Sequence, residues 1–284
     1  MNHHQASTLP VVLTIGGFDP SSGAGITADL KTLAAHNCYG VAAITALTVQ
    51  NTQGVASVTG VEPTLLRKSI EHLLADDHVR AIKIGMLSNR ANAEVVREIL
   101  DANSNLPAVL DPVLRSTSGA ALLDAAGLKY LREHLLSRVR AITPNLDEAA
   151  ALTGLKVENV EGMKAAAQKL IEMGAQAVVV TGGHLDKAID VFVDEAGIET
   201  FVGERIKPDN IHGTGCTFSS AIAANLALGR PLREAIVFAK AFVTEAIRKA
   251  YPIGPGRMPL NHLYRMQQSP RVTDHAPAVP EPVL

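Results

Sequence analysis

Val11-Val12-Leu13-Thr14-Ile15 runs straight into Gly16-Gly17-Phe18-Asp19-Pro20-Ser21-Ser22-Gly23-Ala24-Gly25, and a helical pattern follows to about Asn37 with Ile26, Leu30 and Leu33 on one face. A short apolar run, a glycine-rich turn and an amphipathic helix make one strand–loop–helix unit. The unit recurs. Gly40 to Thr45 reads as a second strand leading into the polar segment Thr48-Val49-Gln50-Asn51-Thr52-Gln53-Gly54. Pro63 opens a helix with Leu65, Leu66, Ile70, Leu73 and Leu74 as its stripe. Ala81-Ile82-Lys83-Ile84 precedes Gly85-Met86-Leu87-Ser88 and a helix to about Leu100. Ala108-Val109-Leu110 precedes Asp111-Pro112-Val113, Ala141-Ile142 precedes Thr143-Pro144-Asn145, and Ala177 to Val180 precedes Thr181-Gly182-Gly183-His184.

These strands are continuous apolar runs, as expected where both faces are buried. Their alternation with helices predicts an α/β fold: a mostly parallel central sheet with helices on both faces. The pattern changes after Gly183, where Ile189–Val193 and Ile198–Val202 flank Asp194-Glu195-Ala196-Gly197 as a hairpin. Gly213-Thr214-Gly215-Cys216 then opens a long apolar helix, and Pro231 starts another. No Pro-, Gly- or Ser-rich linker divides the chain. The expected organisation is a flexible N-terminus at 1–10, a single domain at 11–266 and a disordered tail at 267–284, which holds four prolines.

Composition narrows the function. Of 284 residues 47% are hydrophobic but only 4% aromatic, so the core must be aliphatic. The net charge of −2 and the absence of a basic block give nucleic acid no footprint. No apolar run reaches the roughly 18 residues of a membrane helix. Two cysteines, Cys38 and Cys216, make no disulfide framework, and a cytoplasmic protein is expected.

Ligands of such sheets bind beyond the carboxyl ends of the strands, where the polar, glycine-rich segments fall. In His212-Gly213-Thr214-Gly215-Cys216-Thr217 the glycines admit an anion to the free N–H groups of a first helical turn. The plainer alternative is a glycine-rich helix start with Cys216 as a small buried hydrophobe. Asn145 and Glu148 stand three apart at another helix start. Glu148 can hold Mg²⁺ through water and Asn145 can position a nucleotide phosphate, or both can simply begin a helix with an acidic first turn.

Together these segments resemble the hydroxymethylpyrimidine/phosphomethylpyrimidine kinases. The resemblance is carried by Gly17–Gly25 with Ala28-Asp29-Leu30-Lys31, by Ile44–Thr52, Lys83-Ile84-Gly85-Met86, Asp111-Pro112-Val113, Thr143-Pro144-Asn145 with Glu148, Gly182-Gly183-His184 and His212–Thr217, in the family's order over about residues 11 to 262. It implies a ribokinase-like fold, ATP with Mg²⁺ as donor, and two successive phosphorylations in thiamine biosynthesis. It implies that Gln50 reads the pyrimidine edge and that Gly17, Ala24, Met86 and Val113 line the pocket. Asn145, Thr181, Gly182 and Gly183 are implied for the nucleotide, and Asp111 with Glu148 for the metal. Cys216 is implied as general base, with Gly213, Thr214 and Gly215 completing the anion nest. A helix terminus can lower the thiol pKa, and whether Cys216 acts as base or only shapes the anion nest is left open.

The partners expected are the pyrimidine alcohol and its phosphate, and a homodimer is left open. The nearest alternative of the same superfold is a pyridoxal or pyridoxine kinase, whose ring also bears a hydroxymethyl group; a non-catalytic vitamin-binding protein is a further one. Met86 is equally well read as core, and Asp19 is better read as an Asp-Pro turn than as catalytic. The chain departs from the family pattern at Ser22, where many relatives have Gly, at Thr27, where many have Gln, and at Thr181, where some have Lys. The segment Ile253–His262 lacks a lysine seen in some members; Arg257 reads equally well as a replacement for its charge and as a solvated loop cation.

Overall fold

The structure, a computed structural model, describes residues 9–76, 78–116, 118–183, 188–206 and 210–266. The chain runs β1 (Val11–Phe18), α1 (Gly25–Ala35), β2 (Tyr39–Asn51), β3 (Gly54–Gly60), α2 (Pro63–Asp76), β4 (Val79–Ile84), α3 (Arg90–Ala102), β5 (Ala108–Leu110) and α4 (Ala125–Tyr130). It continues with β6 (Ala141–Ile142), α5 (Leu146–Thr153), α6 (Val160–Glu172), β7 (Val178–Gly182), β8 (Ala188–Asp194), β9 (Gly197–Gly203), β10 (Ile211–His212), α7 (Thr214–Ala227), α8 (Leu232–Arg248) and β11 (Met258–Pro259). Nine strands form one sheet in the order β3-β2-β1-β4-β5-β6-β7-β8-β9. The strands from β2 to β7 are parallel, and antiparallel hairpins lie at the two edges.

Strand periodicity sorts the core into two layers. Leu13, Ile15, Ile82, Ile84, Leu110 and Val180 pack toward α2, α3, α5 and α6. The residues between them, such as Val12, Ala81, Val109 and Val179, pack toward α7 and α8. A parallel sheet covered on both faces needs both sets apolar, which is why its strands do not alternate in sequence.

Two expectations needed correction. The second strand does not stop near Thr45; β2 runs on to Asn51 and pairs with β3 as a hairpin, so Gln50 lies on a strand. Past the helices there is no layer to cover, and Leu47 and Val49 stand exposed there, so the segment lacks a buried apolar run. On α2 only Leu66 and Ile70 are buried, and Leu65 faces outward. The hairpin of β8 and β9 follows the expected pairing. His184, the proline-containing tail and most of the N-terminal segment lie outside the described residues.

One polar group interrupts the layer beneath α1 and α7. The Lys83 ammonium, from the apolar strand β4, donates to both Asp29 carboxylate oxygens at 3.0 and 2.9 Å, and neither side chain reaches solvent. Thr14 of β1 and Ser220 of α7 donate to the same carboxylate at 2.6 and 2.8 Å. Burial works against the ammonium, but Asp29, with Cys216 and Asp111 beyond it, more than reverses this and raises the Lys83 pKa. Four elements are thereby tied at one point. Asp29→Asn leaves a buried cation without its counter-charge and is expected to lower unfolding stability by about 3–5 kcal/mol. Urea titration checks this, and an Asp29→Leu/Lys83→Met double variant is expected to lose less than either single change.

Candidate active site

The carboxyl ends of β1, β4, β5, β6 and β7 open onto one side of the sheet. Asp19, just past β1, folds the following loop around its own carboxylate. Oδ1 accepts from the Ser21 amide at 2.8 Å and from its hydroxyl at 2.7 Å, and Oδ2 from the amides of Gly23 at 3.1 Å and Ala24 at 2.9 Å. This is the turn role expected of Asp19. Burial raises its pKa, but the hydrogen bonds from His212, Ser21 and Ala24 outweigh that and hold the carboxyl below its usual value. Ser22 takes a φ of 62°, in the left-handed region that glycine adopts without strain. Its carbonyl accepts from the Lys31 ammonium at 2.9 Å. Thr27, the other departure, places its hydroxyl against the carbonyls of Asp19 and Ala24.

The loop packs on the start of α7. Gly213 has a φ of 86°, and a Cβ there would fall 1.9 Å from the Gly23 carbonyl oxygen, so only glycine lets the two segments meet. No side chain caps α7, whereas Asn89, Asp124, Asn145 and Asn159 cap α3, α4, α5 and α6. Its first-turn N–H groups, on Thr214, Gly215 and Cys216, have no acceptor within the helix. Helix α1 also starts without a side-chain cap, and its first amide, Gly25 N–H, donates to the Cys216 sulfur. Two helix N-termini therefore converge on one thiol.

Cys216 does not ionise easily there. Burial pushes its thiol up to about 12; Lys83 pulls the other way, while Asp111 and Asp29 add to the rise. Burial overrides the lowering that a helix terminus can give, and the Asp111 carboxylate, to which the thiol donates a hydrogen bond, adds to the rise. Asp111 also receives the Ser219 hydroxyl at 3.3 Å, and it sits against Gly215, where a Cβ would come within 3.5 Å of the carboxylate.

Burial pushes Asp111 up to about 6 against the pull of Lys83. It pushes Glu148 up to about 8, and the Asp111 charge adds to that rise. Glu148 belongs to a capping box: Asn145 N–H donates to its carboxylate at 2.9 Å, and its own N–H donates to Asn145 Oδ1 at 2.9 Å. The helix-start reading of this pair thus holds in the geometry. The Leu114 amide also donates to the Glu148 carboxyl. Burial holds both acids above the usual carboxyl range, and the charge on Asp111 adds to the rise at Glu148. Among the described residues no group of three or more His, Cys, Asp or Glu side chains is placed to hold a metal. Two carboxylates are nonetheless an ordinary protein contribution to Mg²⁺, which takes its other ligands from water and phosphate.

Met86 is 7% exposed and forms a small cluster with Ala46, Leu122, Val58 and Val113, separate from the two main layers. Its sulfur would lie 2.7 Å from a Cβ on Gly17, so Gly17, Met86 and Val113 form one apolar wall. Gln50 reaches His212, which precedes the nest, with Nε2 atoms 3.1 Å apart. Asn145 pairs with Thr181 in an isolated parallel bridge, and the Thr181 amide donates to the Pro144 carbonyl at 2.9 Å. The Gly182 amide is committed to Asp190 at 3.2 Å, while Gly183 is exposed with open space at its Cα. The Arg257 amide donates to the Thr52 carbonyl at 2.7 Å, fastening the C-terminal loop to the tip of the β2–β3 hairpin.

Asp29, Lys83 and His212 were not singled out from sequence as site residues. The available signal for Lys83 was a lone cation inside an otherwise apolar strand.

Two helix starts aimed at one thiol, with acids beside them, suit the transfer of a highly charged phosphoryl group. On this sheet order they place the chain among the kinases of ribokinase-like fold. A family model described as phosphomethylpyrimidine kinase matches residues 19–261, and the chain belongs to that family. It is 42% identical over 248 residues to the hydroxymethylpyrimidine/phosphomethylpyrimidine kinase of Aquifex aeolicus, covering 87% of this chain and 97% of that one. It is also 42% identical over 254 residues to a bifunctional thiamine biosynthesis protein of Geobacter sulfurreducens, covering 89% of this chain but only 52% of that longer protein. The ADP complex of Bacillus subtilis pyridoxal kinase superposes with a TM-score of 0.84 at 34% identity, covering 91% of this chain and 99% of the other. No helix among the described residues is long and apolar enough to cross a membrane.

The acidic pair predicts a pH dependence. Carboxyls whose folded pKa lies above the unfolded value stabilise the fold fully below the unfolded pKa, near 4, and lose that contribution as pH rises through the folded values of about 6 and 8. Stability of the ligand-free protein is therefore expected to fall between pH 5 and 8. Glu148→Gln removes much of this fall and is expected to exceed the parent at pH 8 by on the order of 1–3 kcal/mol, read from urea midpoints.

Proposed function

We propose that this kinase moves the γ-phosphoryl group of ATP to the hydroxymethyl group of 4-amino-5-hydroxymethyl-2-methylpyrimidine, and then to the resulting monophosphate, as a cytoplasmic step of thiamine biosynthesis. The observation that carries the reading is the convergence of α1 and α7 on Cys216 beside the apolar wall of Gly17, Met86 and Val113. It supports a site that combines anion-binding amides with an apolar wall for a ring. Ala24 lies in the loop packed on Gly213, and in this reading it lines the ring pocket.

In this reading Gln50 hydrogen-bonds the aminopyrimidine edge, since a carboxamide both donates and accepts. The amides of Gly213, Thr214, Gly215 and Cys216 hold the migrating phosphoryl oxygens. Asn145, Thr181, Gly182 and Gly183 flank the nucleotide; with its amide committed to Asp190, Gly182 contributes room rather than a donor. Asp111 and Glu148 would hold Mg²⁺, which would supply positive charge to the phosphates. As the thiolate, which Lys83 favours, Cys216 would accept the proton of the substrate hydroxyl and become the thiol as the alcohol oxygen bonds to phosphorus.

Pyridoxal is proposed as a side substrate. The observation favouring it is the close superposition on a pyridoxal kinase. A ring bearing the same hydroxymethyl group would meet the same apolar wall.

The test follows from the two steps. The first acceptor is an alcohol and must lose a proton; the second is a monoester already largely ionised near neutral pH. Single-turnover rates with mass-resolved products, for parent and Cys216→Ala on both acceptors, measure the chemistry directly. Cys216→Ala is expected to slow the first step by roughly 10²–10⁴-fold and the second far less. Equal losses on both steps would assign Cys216 to nest geometry. Failure of the parent to phosphorylate either acceptor would refute the proposed substrate.

A further inference from the structure

Gln50 does not face the pocket as a freely rotating amide. Its two ends meet two fixed groups, and proton counting at those contacts determines which end goes where.

Asp19 Oδ2 lies 3.1 Å from His212 Nε2. The carboxylate is 4% exposed, the imidazole 12%, and the carboxylate already accepts four hydrogen bonds from the loop that wraps it. An ionised carboxylate has no proton to offer, so the proton in this contact sits on His212 Nε2, whether the ring is neutral or cationic. Gln50 approaches the same nitrogen at 3.1 Å. If Gln50 presented its NH₂ there, donor would face donor. At the other end of the amide, 3.3 Å away, is the Thr48 hydroxyl, whose single proton goes to the Phe18 carbonyl at 3.0 Å. If Gln50 presented its oxygen there, acceptor would face acceptor. Turning the amide end for end resolves both contacts. Gln50 Oε1 then accepts from His212 Nε2–H, shared with Asp19, and Gln50 Nε2–H donates to Thr48 Oγ1, which donates onward to Phe18.

We propose that Asp19, His212 and Thr48 form a relay that fixes which way round the Gln50 carboxamide faces the ring pocket, so that the site reads a donor–acceptor edge in one direction only. The relay consumes one lone pair of Oε1 and one N–H of Nε2. The second lone pair and second N–H remain for a ligand, in fixed order. A 4-aminopyrimidine edge offers an amine donor beside a ring-nitrogen acceptor. The 4-oxo ring offers a carbonyl acceptor beside a ring N–H donor, the same pair reversed. A freely turning amide would serve both rings. An amide held by the relay serves one, because reversing it sets donor against donor at His212 and acceptor against acceptor at Thr48. Asp19 and His212 are positioning residues in this account, and Thr48 determines specificity without needing to touch the ring.

The inference rests on the pyrimidine reading for its ligand but not for its geometry, so two measurements separate them. The first is ¹⁵N NMR of the ligand-free protein, with the His212 signal identified by its loss in His212→Gln. Nε2 is expected to be protonated, and an unprotonated Nε2 would overturn the relay. The second is the ratio of kcat/KM for the 4-amino and 4-oxo hydroxymethyl rings. The parent is expected to prefer the amino ring by about 100-fold or more. Thr48→Val keeps the shape but removes the acceptor for Gln50 N–H, and is expected to narrow the ratio by roughly tenfold, a loss comparable to one hydrogen bond to a polar partner. Thr48→Ser restores the hydroxyl and is expected to recover the ratio. An unchanged ratio in Thr48→Val would overturn the proposal. If the parent phosphorylates neither ring, the substrate assignment fails, and the Nε2 protonation still decides the relay.

Discussion

The ion pair of Lys83 and Asp29 is the constraint on which the site depends. It joins β4 to α1, and through Thr14 and Ser220 it adds β1 and α7. Helices α1 and α7 are the two whose N-termini meet at Cys216, so the group that fixes their spacing also fixes the nest. A buried ion pair is weak evidence of stability for its own sake, since an apolar substitute of equal volume often does as well. Its consequence here is positional and electrostatic. It leaves a permanent cation beneath a pocket that also contains a thiol and a carboxylate, and it pulls both toward ionisation against the effect of burial.

The site is otherwise short of positive charge. Asp111 and Glu148 are both buried and both held above the usual carboxyl range, Glu148 partly by the charge on Asp111. Lys83 is already matched by Asp29. The ligand-free pocket therefore retains protons that an arriving cation would displace. This links Glu148 to the reluctance of Cys216 to ionise: burial raises both groups, and the charge on Asp111 adds to each.

The fold was legible because a doubly covered parallel sheet writes its strands as short apolar runs, and Val11–Ile15, Ala81–Ile84 and Val178–Val180 are such runs. The β2–β3 hairpin was not, because beyond Thr45 it leaves the covered part of the sheet and carries an alternating, half-exposed surface. Among site residues, the glycines were legible where the backbone requires them, as at Gly213, and Asp19 was legible as a turn. The Lys83–Asp29 pair spans 54 positions, and nothing local joins its members. The ionisation of Cys216 was misjudged for a related reason. A helix terminus is visible in a sequence, whereas the burial that overrides it, and the Asp111 carboxylate that adds to it from the end of β5, arise only in the fold. The orientation of Gln50 depends on Phe18, Asp19 and His212, which only the tertiary structure brings to the hairpin.

The central claim is that a cation completes this pocket by replacing protons held on its acids. Calorimetric titration of Mg²⁺ with a non-hydrolysable ATP analogue, repeated at pH 7 in buffers of different ionisation enthalpy, counts the protons exchanged on binding. Glu148, with a pKa of about 8, is largely protonated at that pH. The account predicts release of roughly one proton per site. Binding with no proton release, or with proton uptake, would contradict it.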